Sequence, residues 1–118
     1  MNFALTKAQH ALWWMKLNNC LSEAHAEIPP ELISHHNCKL GHWLDTEGLT
    51  QYGHWQEIKQ LHQKHQQLHQ LGLEILRLRD LERIPEAREK LVEVLPLSEV
   101  ITDLLTQIEQ KVTTTAPR

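Results

Sequence analysis

The chain has 118 residues, 41% hydrophobic and 23% charged, with 4 Gly, 5 Pro and a mean hydropathy of −0.46. That suffices for one compact domain, is too little for two, and excludes collagen-like, disordered and membrane-spanning classes. The formal net charge is −3 and no basic cluster occurs, so the phosphate-neutralising footprint of a nucleic-acid binder is missing. Two Cys cannot form a disulfide framework, and the start Met1-Asn2-Phe3-Ala4-Leu5-Thr6-Lys7 has neither the basic opening nor the apolar core of a secretory signal. A cytoplasmic, reducing setting is expected, with the thiols free or metal-bound and neither nucleic acid nor membrane as partner.

From Phe3 to about Ala24, apolar residues recur at three- and four-residue intervals, which predicts a long amphipathic helix. Pro29-Pro30 ends it, and Pro30-Glu31 suits the first turn of a short second helix running towards His36. The stretch from Asn37 to Gly53 holds three of the four Gly and is expected to bend, with Asp45 to Gly48 as a helical turn closed by glycine. A second long helix is predicted from His54 to about Leu81, with Ile58, Leu61, Leu68, Gly72 and Leu76 on one face. Pro85 stops it. The last helix runs from Glu86 to Val112 along a seam of Ala87, Leu91, Val94, Ile101, Leu105 and Ile108, and its phase persists across Pro96, predicting one helix kinked there. The expected architecture is all-α: an antiparallel four-helix bundle with a short second helix and a glycine-containing bend, over residues 1–112, followed by a disordered tail at 113–118.

Histidine is over-represented, with 9 in 118 residues and seven of them between His35 and His69. It is the commonest metal ligand, so the side on which each ring falls decides what it can do. His10 lies inside the apolar stripe, since Phe3, Trp14, Leu17 and Leu21 project within about 40° of it at 100° per residue. His65 is equally central on its helix, and His69 follows one turn later at i+4, a spacing that lets two imidazoles reach one ion. His62 is about 60° round from His65 and, seven residues from His69, about 10 Å of rise away from it, so those two cannot share a site.

The thiol follows from reach. Cys20 is on the helix of His10 but about 15 Å along the axis, whereas the ligands of one zinc lie within about 4 Å of each other. It reads as a small buried apolar residue. Cys38 sits in the bend, where the backbone can aim its sulfur inward. His10, Cys38, His65 and His69 supply three nitrogens and one sulfur, a full tetrahedral shell for Zn²⁺ with no open position. A closed shell argues for a structural or sensing site and against a hydrolase, so no enzymatic activity is expected.

These residues resemble a known family, the chemoreceptor zinc-binding (CZB) domains. The resemblance rests on His10-Ala11-Leu12-Trp13, on Cys38-Lys39-Leu40-Gly41-His42-Trp43-Leu44 and on His65-Gln66-Gln67-Leu68-His69, and extends from about Phe3 to Ile108. The Cys element is the specific part, with Gly and Trp fixed three and five residues after Cys. The resemblance implies the same four ligands, a helical bundle that dimerises, and control of a signalling output such as a chemoreceptor region or a diguanylate cyclase. No such output module is present in these residues, so the chain is expected either to act on a separate signalling partner or to be part of a longer protein. His42 matches a commonly basic position, and His35, His36 and His54 match no ligand.

Three functions are thus set against one another. A zinc-dependent sensor would tie the first helix, the bend and the third helix together through the metal; acid or oxidation of the Cys38 thiolate would loosen that tie. A stand-alone zinc buffer would use the surplus His as weak extra ligands. A non-haem iron bundle needs inward carboxylates, but Glu74 points about 180° and Glu57 about 80° away from the His65 face.

Overall fold

The computed structural model describes residues 2–23, 27–28, 32 and 38–115. Among them all regular structure is helical and no strand occurs: α1 (Phe3–Ser22), α2 (Lys39–Trp43), a wide π-type segment over Leu44–Gly48, α3 (Leu49–Tyr52), α4 (Gln56–Asp80) and α5 (Ile84–Thr115). No helix is long and apolar enough to cross a membrane among the described residues.

α1 begins because Asn2 caps it. The Leu5 N–H donates to Asn2 Oδ1 at 3.0 Å and the Thr6 N–H to the Asn2 carbonyl at 3.0 Å, satisfying donors that have no partner within the helix. The short helix expected from Pro30 to His36 lies outside the described residues, except Leu32, which is fully buried.

The segment expected to bend is helical instead. Lys39 to Tyr52 runs through α2, the π-type segment and α3, and the helical run is interrupted at Gly53 to Trp55. Two of the glycines that suggested a bend are buried contact points. A Cβ on Gly48 would meet Trp43 Cζ3 at 2.8 Å, so the missing side chain makes room for an indole. Packing against the core outweighs the low helix propensity of Gly here.

α4 and α5 follow the predicted helices closely and share the longest interface. The turn at 81–83 joins them: the Arg83 N–H donates to the Leu78 carbonyl at 2.9 Å, and Glu82 adopts φ 60°, a left-handed conformation usually left to Gly. Pro96 lies inside α5, which remains a single helix across it. At 1.5 Å per residue its 32 residues measure about 48 Å, most of the 54 Å long dimension. The tail expected to be disordered from Thr113 continues α5 to Thr115, helped by the Thr114 hydroxyl donating to the Gln110 carbonyl at 2.7 Å; residues 116–118 lie outside the described residues.

Polar pairs fix how the long helices lie. Lys7 near the start of α1 meets Glu109 near the end of α5 at 3.2 Å, and Arg88 near the start of α5 donates to Asn18 at 3.2 Å and Ser22 at 3.3 Å. Lys111 meets Glu57 at 2.9 Å and Lys90 meets Glu74 at 3.3 Å between α5 and α4. Between the helices Leu17, Leu40, Ile58, Leu61, Ile101 and Leu105 are fully buried, each contributing on the order of 1.5–3 kcal/mol through removal of apolar surface from water. Three of the buried residues are histidines.

Candidate metal centre

His10 is 5% exposed, His65 0% and His69 2%. A buried imidazole must find polar partners, because an unsatisfied polar group costs on the order of 1–3 kcal/mol, and here the imidazoles find one another. The His65 and His69 Nε2 atoms are 3.2 Å apart, their i,i+4 spacing on α4 placing one ring above the other. The His10 ring from α1 meets the His65 ring edge-on with centroids 5.1 Å apart.

Cys38 completes the group from the start of α2. It is the N-cap of that helix, and its Sγ lies 3.3 Å from the Gly41 N–H that donates to it and 3.0 Å from His65 Nε2. The sulfur thus stands between a backbone N–H and an imidazole. One donor atom each from His10, Cys38 and His65 lie mutually within 4.8 Å.

The donors suit zinc. On tetrahedral zinc two nitrogen donors stand about 3.3 Å apart and a nitrogen and a sulfur about 3.5 Å, given Zn–N near 2.0 Å and Zn–S near 2.3 Å. The His65–His69 spacing of 3.2 Å matches the first value, and the Cys38–His65 spacing of 3.0 Å is about 0.5 Å shorter than the second. His10 Nδ1 is buried with no hydrogen-bond partner among the described residues. Burial also lowers the His10 pKa from 6.5 to about 4, keeping the ring in the neutral form that a metal requires.

The other candidates fall elsewhere. Cys20 is 3% exposed in the apolar core, and burial pushes its thiol pKa up despite the charge and hydrogen bond of Arg79. His42 and His54 are exposed and His62 half-buried, while His35 and His36 lie outside the described residues. Glu74 is exposed on α4, and the clustered donors include no carboxylate among the described residues.

Two supports of the site were not anticipated. Gly41 supplies the N–H to Cys38, a role visible in hindsight from Cys-x-x-Gly at a helix start. The sequence places Gly72 on the inward face of its helix, and a Cβ there would strike Trp13 Cη2 at 2.8 Å, while the Trp13 indole packs edge-on against His69 with centroids 5.4 Å apart. The notch at Gly72 seats the indole that holds the His69 ring. Trp13 is accordingly buried and Trp14 half-buried, dividing the pair between the core and its border.

The model of the chemoreceptor zinc-binding domain family matches residues 10–76, more than half of the chain. The chain belongs to that family. The match begins at His10 and ends at Leu76, within the Phe3 to Ile108 span of the sequence resemblance, and it contains all four candidate donors of this CZB domain. The comparisons with curated proteins and with solved structures give no match.

Proposed function

We propose that this CZB domain is a sensor built around a closed three-histidine, one-cysteine zinc site formed by His10, Cys38, His65 and His69. The observation that carries the reading is the meeting of a sulfur from α2 with buried imidazoles from α1 and α4, the Cys38 Sγ lying 3.0 Å from His65 Nε2. Zinc, when bound, supplies a cross-link between donors that the fold has already gathered. His65 and His69 hold the rigid side of the site on α4, His10 anchors α1, and Cys38 anchors the start of α2. Four protein donors leave no position for a reacting water, so no catalysis is proposed.

Cys38 is the releasable member. It is only partly buried and the cleft beside it is lined by Gln9, Lys16 and Lys39, which gives solutes access to the sulfur. Hydrogen peroxide would transfer one oxygen to the thiolate as its O–O bond breaks, the remaining hydroxide taking a proton from solvent to leave as water, giving a sulfenic acid and a weaker donor. Loss of zinc and oxidation of Cys38 therefore free the same segment, and either serves as the signal. Residues 1–112 act as one antiparallel four-helix bundle, a reading supported by the Lys7–Glu109 and Lys111–Glu57 pairs. The domain works in the cytoplasm as a homodimer on a bacterial signalling output of chemoreceptor or diguanylate cyclase type, through a separate partner.

Titration of the purified chain with zinc against a competing chelator tests the reading. One tight zinc per chain and a loss of affinity of about 100-fold or more in Cys38→Ala are expected, since even residues that only orient a ligand matter by 10–100-fold. Unchanged affinity in Cys38→Ala overturns the site. Several weak zinc ions per chain favour the buffer.

A further inference from the structure

One end of α2 belongs to the metal centre through Cys38, and the other belongs to a cluster of rings. Trp43, the last residue of α2, is buried. Its ring meets Phe3 at the start of α1 edge-on, with centroids 6.1 Å apart, and stacks on Tyr52 of α3 at 6.4 Å. Tyr52 packs in turn on Trp55 at 4.7 Å, and the Lys111 ammonium near the end of α5 sits 4.9 Å over the Trp55 ring while pairing with Glu57 at 2.9 Å. Four rings and an ammonium thus join the start of α1, the helical run after Cys38 and the end of α5. The Lys7–Glu109 pair lies at the same end of the molecule.

The run between Cys38 and these rings is held at few points. α2 has five residues, whereas a helix below about 12–15 is marginal by itself, and its first turn is capped by the Cys38 sulfur, which accepts from the Gly41 N–H at 3.3 Å. The next turn is π-type, with the Leu49 N–H reaching back to the Leu44 carbonyl, a form that marks strained or functional places within helices. α3 has no buried residue, so it relies on the stack of Tyr52 on Trp43. Trp43 itself has no slack: a Cβ on Gly48 would come within 2.8 Å of its ring, and in so close a packing a shift of the indole passes to its neighbours.

We infer that Trp43 is a latch through which the Cys38 position controls this end of the molecule. Cys38 held in the site keeps α2 wound and Trp43 wedged between Phe3 and Tyr52. Cys38 released unwinds the first turn of α2 and withdraws Trp43, which frees the start of α1 from α3 and, through Tyr52 and Trp55, loosens the end of α5. The inference rests on the zinc reading above and adds where its signal emerges. α5 carries none of the four candidate donors, so a zinc-dependent change at its end has to cross the protein, whereas α1 feels the metal directly through His10.

Amide hydrogen exchange of the full chain, read by NMR with zinc and after chelation, gives the test, with zinc stoichiometry and affinity measured on the same samples. Chelation is expected to speed exchange from Leu105 to Val112 by about 10-fold, inside the range usual for coupled sites. Trp43→Leu removes the latch, and Tyr52→Leu cuts the relay at a half-buried ring outside the metal centre, so that one informative variant remains if the other fails to fold. In both, zinc affinity stays within about 3-fold and the response at the α5 end drops to about 2-fold or less. Lys7→Met, which breaks the direct tie from α1 to Glu109, keeps the full response. One tight zinc per chain with no change at the α5 end, a full response surviving in either ring variant, or a response lost in Lys7→Met overturns the inference and leaves the metal site standing. A chain that binds no tight zinc overturns both.

Discussion

Cys20 and Cys38 stand in opposite surroundings. Around Cys20 the end of α1 packs with Leu17, Leu21 and Leu76 in an apolar core, and burial holds the sulfur as a thiol. Around Cys38 the core is polar: the sulfur faces a backbone N–H and an imidazole, and three buried histidines occupy volume that leucines fill elsewhere. The first region packs apolar side chains with Arg79 as a polar neighbour of the sulfur, whereas the second gathers nitrogen and sulfur donors that could hold a metal ion. The same residue type is therefore packing in one place and chemistry in the other.

The largest effect that separates the two regions is expected from His65→Ala, which removes the ring in contact with Cys38, His10 and His69. Zinc affinity by chelator competition should fall by at least about 100-fold, whereas Cys20→Ala should leave it unchanged and lower stability by about 1 kcal/mol, read by denaturant midpoint. Equal losses of zinc affinity in the two variants would erase the contrast.

Metal removal comes next. Zinc at about 100 times its dissociation constant stabilises the folded chain by about 2.7 kcal/mol, worth on the order of 10 °C in melting temperature, and a chelator should abolish that gain. Hydrogen exchange should then accelerate at the start of α2 and beside His10 before it changes at the Cys20 end. Uniform acceleration would mean that the two regions are a single unit.

A smaller effect sharpens the comparison at its border. Gly72→Ala pushes the Trp13 indole that holds His69 and should cost about 1–3 kcal/mol together with a roughly 10-fold loss of zinc affinity. Gly48→Ala crowds Trp43 instead and should cost similar stability with affinity retained. The smallest change lies away from both regions: Glu82→Gly relieves the left-handed residue of the α4–α5 turn and should raise stability by about 0.5–1 kcal/mol, measured by thermal melting, without touching zinc.

Much of this was legible along the chain. The faces of α1, α4 and α5 follow from spacing, because at 3.6 residues per turn a three- or four-residue recurrence fixes which side is buried, and this singled out His10, His65 and His69 as inward before any contact was known. Less legible is the Asn37 to Gly53 segment, whose glycines signal backbone freedom locally: Lys39 to Tyr52 is helical, and Gly48 admits Trp43. The use of Gly72 is hidden likewise, its partner Trp13 being on another helix.

The sequence by itself determined the helical class, the inward rings on α1 and α4, and the i,i+4 pair His65 and His69, all of which depend on neighbours within a turn or two. Only the tertiary structure decided that the Cys38 sulfur comes within 3.0 Å of His65 and that Trp13 rests in the notch of Gly72 against His69. Helical periodicity fixes direction about an axis, but the distance between residues on different helices is set by how their side chains interlock, and no pattern along one chain segment carries that information.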